Sequence, residues 1–260
     1  MAVVLAGGCR VSDMNEGLPQ TVGSLRVWNQ VGKSTGAEAI SLRILEFGPG
    51  TSPGLRNSEA DEVLYVLEQL EGSSDESVCR LFLDGREHQV TAQTGVYVRP
   101  GQTLTIDNPG AAPIRFVSSL CPEPTTGEVT VAAVMEPTLA TAPAKAPIVS
   151  LSDRKAIPTA DRWYRVLVDD EVGSEQVTQF VGSIPPGRAP DHYHHYEEVL
   201  FILRGTGRMW AGETNTPISP GSCIYLPKGQ VHCVENTGDD ELRLLGVFYP
   251  AGSPSVRYEA

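Results

Sequence analysis

The chain has 260 residues, of which 40% are hydrophobic, so it is long enough to bury one large core or two small ones. Its formal net charge is −12, from 20 Lys and Arg against 32 Asp and Glu. This balance argues against a nucleic-acid-binding surface, which needs clustered basic side chains, and no run approaches the about 18 apolar residues of a membrane-spanning helix.

The first ten residues, "MAVVLAGGCR", resemble a secretion signal only superficially. No basic segment precedes the apolar run, which has about five residues where a signal needs about 7–15. We therefore expect an ordinary first strand. The chain contains five widely spread cysteines and no C-x-x-C pair, which predicts reduced thiols in a cytoplasmic protein. They are Cys9, Cys79, Cys121, Cys223 and Cys233.

The stretch "VGKST" (Val31 to Thr35) resembles the end of a phosphate-binding loop. That loop requires a glycine five positions before the glycine of its GK pair, and Val27 stands there. The stretch is therefore interpreted as a surface turn.

The chain repeats itself on either side of a Pro- and Ala-rich segment. "DEVLYVL" (61–67) matches "EEVLFIL" (197–203), and "GQTLTIDNPG" (101–110) matches "GQVHCVENTG" (229–238). "EFGPG" (46–50) also resembles "SIPPG" (183–187), and a longer loop is expected in the first half around "EQLEGSSDESVCR". A repeat of this length indicates a duplicated domain.

Both halves contain short β-prone runs, broken about every ten residues by Gly, Pro, Asn or Asp. This spacing predicts antiparallel sandwiches or barrels, so the expected fold is all-β with two barrels in tandem. We expect an N-terminal barrel over residues 1–135, a linker over 136–147 and a C-terminal barrel over 148–260.

The densest chemistry lies in "PDHYHHYEEVLFILRG", which holds three of the five histidines. His192, His194 and Glu198 share parity, so on a strand their side chains would point to one face. A second stretch, "GSCIYLPKGQVHCVEN", supplies His232 after a Pro-Gly turn. Three imidazoles and one carboxylate suit a divalent transition metal, such as Fe, Mn, Ni, Cu or Zn, and a metal would satisfy all four buried polar groups at once. Histidines that simply lie on the surface of a strand are the alternative interpretation.

These two stretches resemble the two sequence motifs of the cupin family. The first contains Gly187, His192, His194, Glu198 and Gly205, with four residues instead of the usual five between Gly187 and His192. The second motif matches throughout, through Gly221, Pro227, Gly229, His232 and Asn236. With the repeat, the resemblance covers most of the chain and implies a bicupin of two jelly-roll (double-stranded β-helix) barrels. It also implies one ion held by His192, His194, Glu198 and His232.

The neighbouring candidates are interpreted differently. His195 has the opposite parity and should lie outside the ligand set, near the site or facing solvent. Glu197 competes with Glu198 as a ligand, but six residues separate Glu198 from Gly205, which favours Glu198. Cys223 and Cys233 are expected to be packing residues.

The first half lacks this pattern. Alignment of Glu62 with Glu198 places Arg56 and Ser58 where the two histidines stand, and Leu104 replaces His232. We therefore expect a metal-free barrel with a structural role, in which Glu62 pairs with Arg56. A vestigial binding pocket is the alternative.

Four protein ligands on a six-coordinate ion leave two adjacent positions for a small, oxygen-rich substrate, or for a substrate and O₂. Trp210, Tyr225 and Phe248 are expected to contact this substrate, and the candidate catalytic base is Glu198 or a metal-bound hydroxide. The resemblance favours a dioxygenase or oxidase. The alternatives are a non-redox isomerase, lyase, decarboxylase or hydrolase, and a binding module without turnover. Because the family tends to pair barrels, the first half is expected to supply that partner within the chain; a homodimer is a further expected assembly.

Overall fold

The computed structural model describes residues 1–67, 79–124, 129–138, 145–256 and 258–259. Within these ranges the only helices are four single turns of 3₁₀-helix, at Ala6–Gly8, Lys33–Thr35, Leu151–Asp153 and Asp170–Val172. Lys33 is exposed, as expected for a surface turn. The described residues contain no helix that is long and apolar enough to cross a membrane. The central part of the predicted linker and most of the predicted longer loop lie outside the described residues.

The strands are short, and most of them pair with at least one strand from a distant part of the chain. In the first half the described strands are β1 (Val3–Val4), β2 (Arg10–Asp13), β3 (Gln20–Val22), β4 (Leu25–Val31), β5 (Leu42–Phe47), β6 (Gly50–Thr51), β7 (Gly54–Arg56), β8 (Asp61–Val66), β9 (Cys79–Leu83), β10 (Arg86–Val90), β11 (Thr94–Val98), β12 (Thr103–Asn108), β13 (Ile114–Cys121) and β14 (Val131–Ala132).

The second half repeats this series. Its described strands are β15 (Ile148–Ser150), β16 (Ile157–Thr159), β17 (Arg162–Val168), β18 (Thr178–Ile184), β19 (Gly187–Arg188), β20 (His192–Tyr193), β21 (Glu197–Arg204), β22 (Gly207–Ala211), β23 (Thr214–Ile218), β24 (Ser222–Leu226), β25 (His232–Asn236), β26 (Leu242–Tyr249) and β27 (Tyr258–Glu259).

Each half forms a barrel from two facing antiparallel sheets. In the N-terminal barrel, a sheet in the order β15-β11-β8-β13-β5-β4-β3 faces a sheet in the order β10-β9-β12-β7-β14. In the C-terminal barrel, β1-β2-β24-β21-β26-β18-β17-β16 faces β23-β22-β25-β20-β27. The central order β8-β13-β5-β4-β3 of the first barrel corresponds to β21-β26-β18-β17-β16 of the second. The predicted all-β fold of two tandem jelly-roll barrels is confirmed.

The two halves exchange strands at their edges. Strand β2 pairs with β24 of the second barrel, with Arg10 opposite Tyr225, and β1 extends that sheet. In return, β15 pairs with β11 of the first barrel, with Thr94 opposite Ser150. Strands from each side of residues 136–147 therefore complete the sheet of the other barrel. The division of the chain at these residues remains a prediction.

Three apolar cores hold the molecule together. One fills each barrel, and the third lies between them, where burial of apolar side chains from both halves excludes water. The core between the barrels contains Trp28, Tyr65, Tyr97, Phe201 and Tyr225. All five cysteines are buried and none is in a disulfide. The cytoplasmic location stays a prediction.

Candidate metal centre

The histidines predicted to bind a metal come together at one end of the C-terminal barrel. His192 lies on β20 and is the direct cross-strand partner of His232, the first residue of β25. His194 follows two residues later, so its ring lies on the same side of the chain. One nitrogen of each ring lies within 4.8 Å of the others, and no second His, Cys, Asp or Glu cluster suited to a metal occurs in the described ranges.

The Glu198 carboxylate reaches the same point from β21. Its Oε2 atom is 3.7 Å from Nε2 of His194 and 3.8 Å from Nε2 of His232. Two ligands at about 2.1 Å from one ion can lie no more than about 4.2 Å apart, so these separations suit a shared ion. Glu198, His194 and His232 are buried, whereas His192 is partly exposed.

Backbone carbonyl groups orient two of the rings. Nδ1 of His192 lies 3.0 Å from the carbonyl oxygen of Pro190, and Nδ1 of His232 lies 2.8 Å from that of Gln230. Because a carbonyl oxygen only accepts, Nδ1 carries the proton in both rings and the Nε2 lone pair is left for a ligand.

The electrostatics of the site fit a cation. Burial, together with the nearby His192, lowers the pKa of His232 to about 3, so its ring is neutral. Burial also raises the pKa of Glu198 to about 8, because a bare carboxylate is poorly solvated among apolar side chains. A divalent ion would accept the nitrogen lone pairs and neutralise this carboxylate, so the donor set fits a transition metal.

The other nearby candidates point elsewhere. His195 is exposed, and Glu197 turns away from the barrel interior towards the other half of the chain. Cys223 belongs to the core between the barrels. The sulfur of Cys233 accepts a hydrogen bond from Arg188, away from the imidazoles.

A cavity of about 110 Å³ adjoins the four candidate ligands. Its wall is largely apolar and includes Tyr164, Phe180, Leu200, Val234, Leu244 and Phe248. A cavity of about 150 Å³ holds a benzene molecule, so this one suits a ligand of only a few heavy atoms.

Of the three aromatic residues predicted to contact the substrate, the structure brings only Phe248 to this cavity. Trp210 lies on the outer face of β22, where its indole donates to Glu235 and Arg188 stacks on its ring. Tyr225 lies in the core between the barrels and donates to Glu197. Both residues stand next to inward-facing neighbours, so strand parity turns their side chains away from the cavity.

Arg162 lines the same cavity and is not among the residues predicted from the sequence. It shares parity with the inward-facing Tyr164 on β17, and its side chain is only 15% exposed. Its Nε atom donates to Asp161 at 2.8 Å. The alternation in "RWYRVLV" could have identified it, because an arginine in phase with a core tyrosine must face the barrel.

The first barrel differs from the second at the corresponding position. The Glu62 carboxylate pairs with Arg43 at 2.6 Å and accepts a hydrogen bond from Ser118, also at 2.6 Å. The prediction that Glu62 pairs with Arg56 is wrong, since Arg56 points to solvent. Arg43 and Ser118 face each other across β5 and β13 as Phe180 and Gly246 do across β18 and β26. A guanidinium therefore neutralises the carboxylate that remains in this half.

The chain is similar to several known proteins. A sequence model of the cupin domain matches residues 180–248. An L-ectoine synthase of Mycolicibacterium vanbaalenii is 32% identical over 98 residues, which is 35% of this chain and 71% of that protein. The chain belongs to the cupin superfamily. Other relatives are matched over shorter shares of their length: auxin-binding protein 1 of Arabidopsis thaliana is 32% identical over 86 residues, 29% of this chain and 43% of that protein.

A further relative is an oxalate-binding protein of Thermotoga maritima, 35% identical over 67 residues, 25% of this chain and 55% of that protein. Among solved structures, an oxalate decarboxylase superposes with a TM-score of 0.73 and 14% identity, over 94% of this chain and 77% of the other. An oxalate decarboxylase variant from Bacillus subtilis gives 0.72 and 13%, over 94% and 78%. At these identities the likeness concerns the fold, and it spans both barrels of this bicupin.

Proposed function

We propose that the C-terminal barrel is the active site of a metal-dependent enzyme that oxidises a small, oxygen-rich organic anion. The observation that carries this proposal is the convergence of His192, His194, His232 and Glu198 beside the cavity of about 110 Å³. When bound there, a redox-active ion would supply Lewis acidity and a site for oxygen chemistry. The first barrel supports the fold, and its Arg43 guanidinium takes the place of a metal cation beside Glu62.

The cavity wall favours oxidation over chemistry that depends on proton transfer. Isomerases and hydrolases need an acid or base placed beside the substrate. Apart from the candidate ligands, the titratable side chains of the described wall are Arg162, Tyr164 and Tyr196. Burial raises the pKa of Tyr196, which keeps its hydroxyl protonated at neutral pH. The wall thus offers an apolar surface for binding and excluding water.

A non-redox decarboxylase or lyase is the second candidate. It is favoured by the cationic Arg162 beside the metal position and by the oxalate named in both the oxalate-binding relative and the oxalate decarboxylase structures. In this alternative the ion would polarise a carboxylate or carbonyl oxygen, and Arg162 would hold the other anionic end of the substrate.

The two candidates differ in what they consume. The protein, loaded separately with Fe²⁺, Mn²⁺, Ni²⁺, Cu²⁺ or Zn²⁺, is incubated with small 2-oxo acids, 2-hydroxy acids and oxalate. Oxygen uptake in step with substrate loss is the expected result. Carbon dioxide release without net oxygen uptake would select the second candidate, and tight binding of a carboxylate with no turnover under any loading would contradict both and identify a binding module.

Replacement of Arg162 by glutamine is expected to weaken binding of small carboxylates about 10- to 100-fold, because a hydrogen bond to a charged group contributes roughly 1.5–3 kcal/mol. Metal retention should not change, since Arg162 is not one of the four candidate ligands and its Nε atom donates to Asp161. Calorimetric titration with pyruvate and with its neutral amide measures this. Equal losses of affinity for both compounds would rule out a role in recognising the carboxylate.

A further inference from the structure

Glu197, the residue before the candidate ligand Glu198, ties the two barrels together. Its carboxylate is buried and accepts hydrogen bonds from the backbone N–H groups of Glu38 at 2.8 Å and Ala39 at 2.7 Å. The hydroxyl of Tyr225 donates to the same carboxylate. Glu38 and Ala39 follow the Lys33–Thr35 turn of the first half, so a loop of the metal-free barrel holds a side chain of the other barrel.

The location of Glu197 on β21 gives this contact its significance. Because side chains alternate along a strand, Glu197 faces the other barrel while Glu198 faces the cavity. The Glu198 carboxylate accepts no hydrogen bond from any residue that the structure describes. Its position therefore depends on the backbone at the start of β21. The ladders to β24 and β26 hold this backbone, and the three hydrogen bonds to Glu197 anchor it further to the opposite loop.

The metal-free half has the same pair without the loop contact. Asp61 precedes Glu62 on β8, as Glu197 precedes Glu198 on β21. Tyr97 precedes the cross-strand partner of Glu62, which is Val98, and Tyr225 precedes the cross-strand partner of Glu198, which is Leu226. The Tyr97 hydroxyl donates to Asp61 at 2.5 Å. Within the described chain, no backbone N–H of the other barrel donates to the Asp61 carboxylate. Aspartate is one methylene shorter, so of this pair of carboxylates in the described chain, Glu197 reaches the opposite loop and Asp61 does not.

We propose that Glu197 is a positioning residue for the metal centre: through it, the 38–39 loop of the metal-free barrel holds Glu198 at the distance that the ion requires. This inference rests on the proposed metal-dependent function. It assigns the first barrel a part in the chemistry of the second, although the first barrel contributes no ligand.

The test compares matched variants of the two halves with Mn²⁺ as the probe. Free Mn²⁺ is followed by electron paramagnetic resonance during titration of wild type, Glu197→Ala and Asp61→Ala. Removing a residue that orients a metal ligand without binding the metal commonly weakens metal affinity about 10- to 100-fold. Glu197→Ala should therefore raise the dissociation constant for Mn²⁺ by that factor. Asp61→Ala should leave it at the wild-type value. Glu197→Asp, which keeps the charge but withdraws it from the loop, should show an increase between the two.

Thermal unfolding of the metal-free proteins separates positioning from general stability. Both alanine variants delete a carboxylate that bonds a tyrosine, so a merely structural role would lower both melting temperatures and leave both dissociation constants unchanged. That result would overturn the inference about Glu197 but would not contradict the proposed metal site. If wild type itself binds none of Mn²⁺, Fe²⁺, Ni²⁺, Cu²⁺ and Zn²⁺, both the inference and the proposed function are contradicted. Should Glu197→Ala not fold, Glu197→Asp decides the question.

Discussion

His232→Ala is expected to abolish metal retention through purification. The variant removes one of three imidazoles whose nitrogens converge within 4.8 Å, and it leaves the buried Glu198 with fewer partners. Loss of a direct ligand should weaken metal affinity by more than the about 10- to 100-fold expected for residues that only orient a ligand. Elemental analysis of the purified proteins measures it. Addition of metal should also stop raising the melting temperature, because ligand stabilisation requires binding to the native state.

Leu104→Val provides the matched control. Leu104 occupies the corresponding position in the metal-free barrel and is fully buried in its core. The substitution should lower stability slightly, as small core truncations do, and leave the metal content at the wild-type level. Equal metal content in wild type and His232→Ala would contradict the ligand assignment.

Arg43→Met is expected to destabilise the protein by about 3–5 kcal/mol, because it leaves the buried Glu62 carboxylate without its cation. Both side chains are almost inaccessible, at 10% and 8% exposed. Ser118 still donates to Glu62, but one hydrogen bond does not replace a full charge. Urea unfolding of the metal-free protein, monitored by tryptophan fluorescence, measures the loss.

Two further variants test the cause. Arg43→Met combined with Glu62→Gln removes both charges and should recover most of the lost stability. Arg26→Met breaks an ion pair with Glu46 in which the arginine is 49% exposed, so it should cost less than about 1 kcal/mol. A single Arg43→Met variant as stable as wild type would contradict the role given to this pair.

Sequence reasoning predicted the fold because duplicated β-runs and cupin motif spacing are local signals. His192, His194 and Glu198 lie within seven residues on alternating positions, and the Pro-Gly turn sets the register of His232. Parity therefore placed all four on the barrel's inner face without knowledge of the tertiary structure.

The remaining features depend on contacts between distant strands. Arg43 reaches Glu62 because β5 and β8 both pair with β13, which the sequence does not reveal. Tyr225 lies in the core between the barrels and not in the cavity, because the surface of the other barrel buries it, and a local strand pattern does not reveal that surface. The sequence identifies Glu197 only as a competing ligand. Its contact with the 38–39 loop is not visible there, because that loop lies about 160 positions earlier in the chain.

The exchange of edge strands has a consequence for how the chain can be divided. A fragment that begins at residue 148 would lack β1 and β2, leaving the backbone groups of β24 unpaired along an open sheet edge, a feature that promotes association between chains. The complementary fragment would lose β15 from β11 in the same way. Neither barrel is therefore a transplantable module, and fusion or truncation designs should keep residues 1–13 and 148–150 with the sheets that they complete.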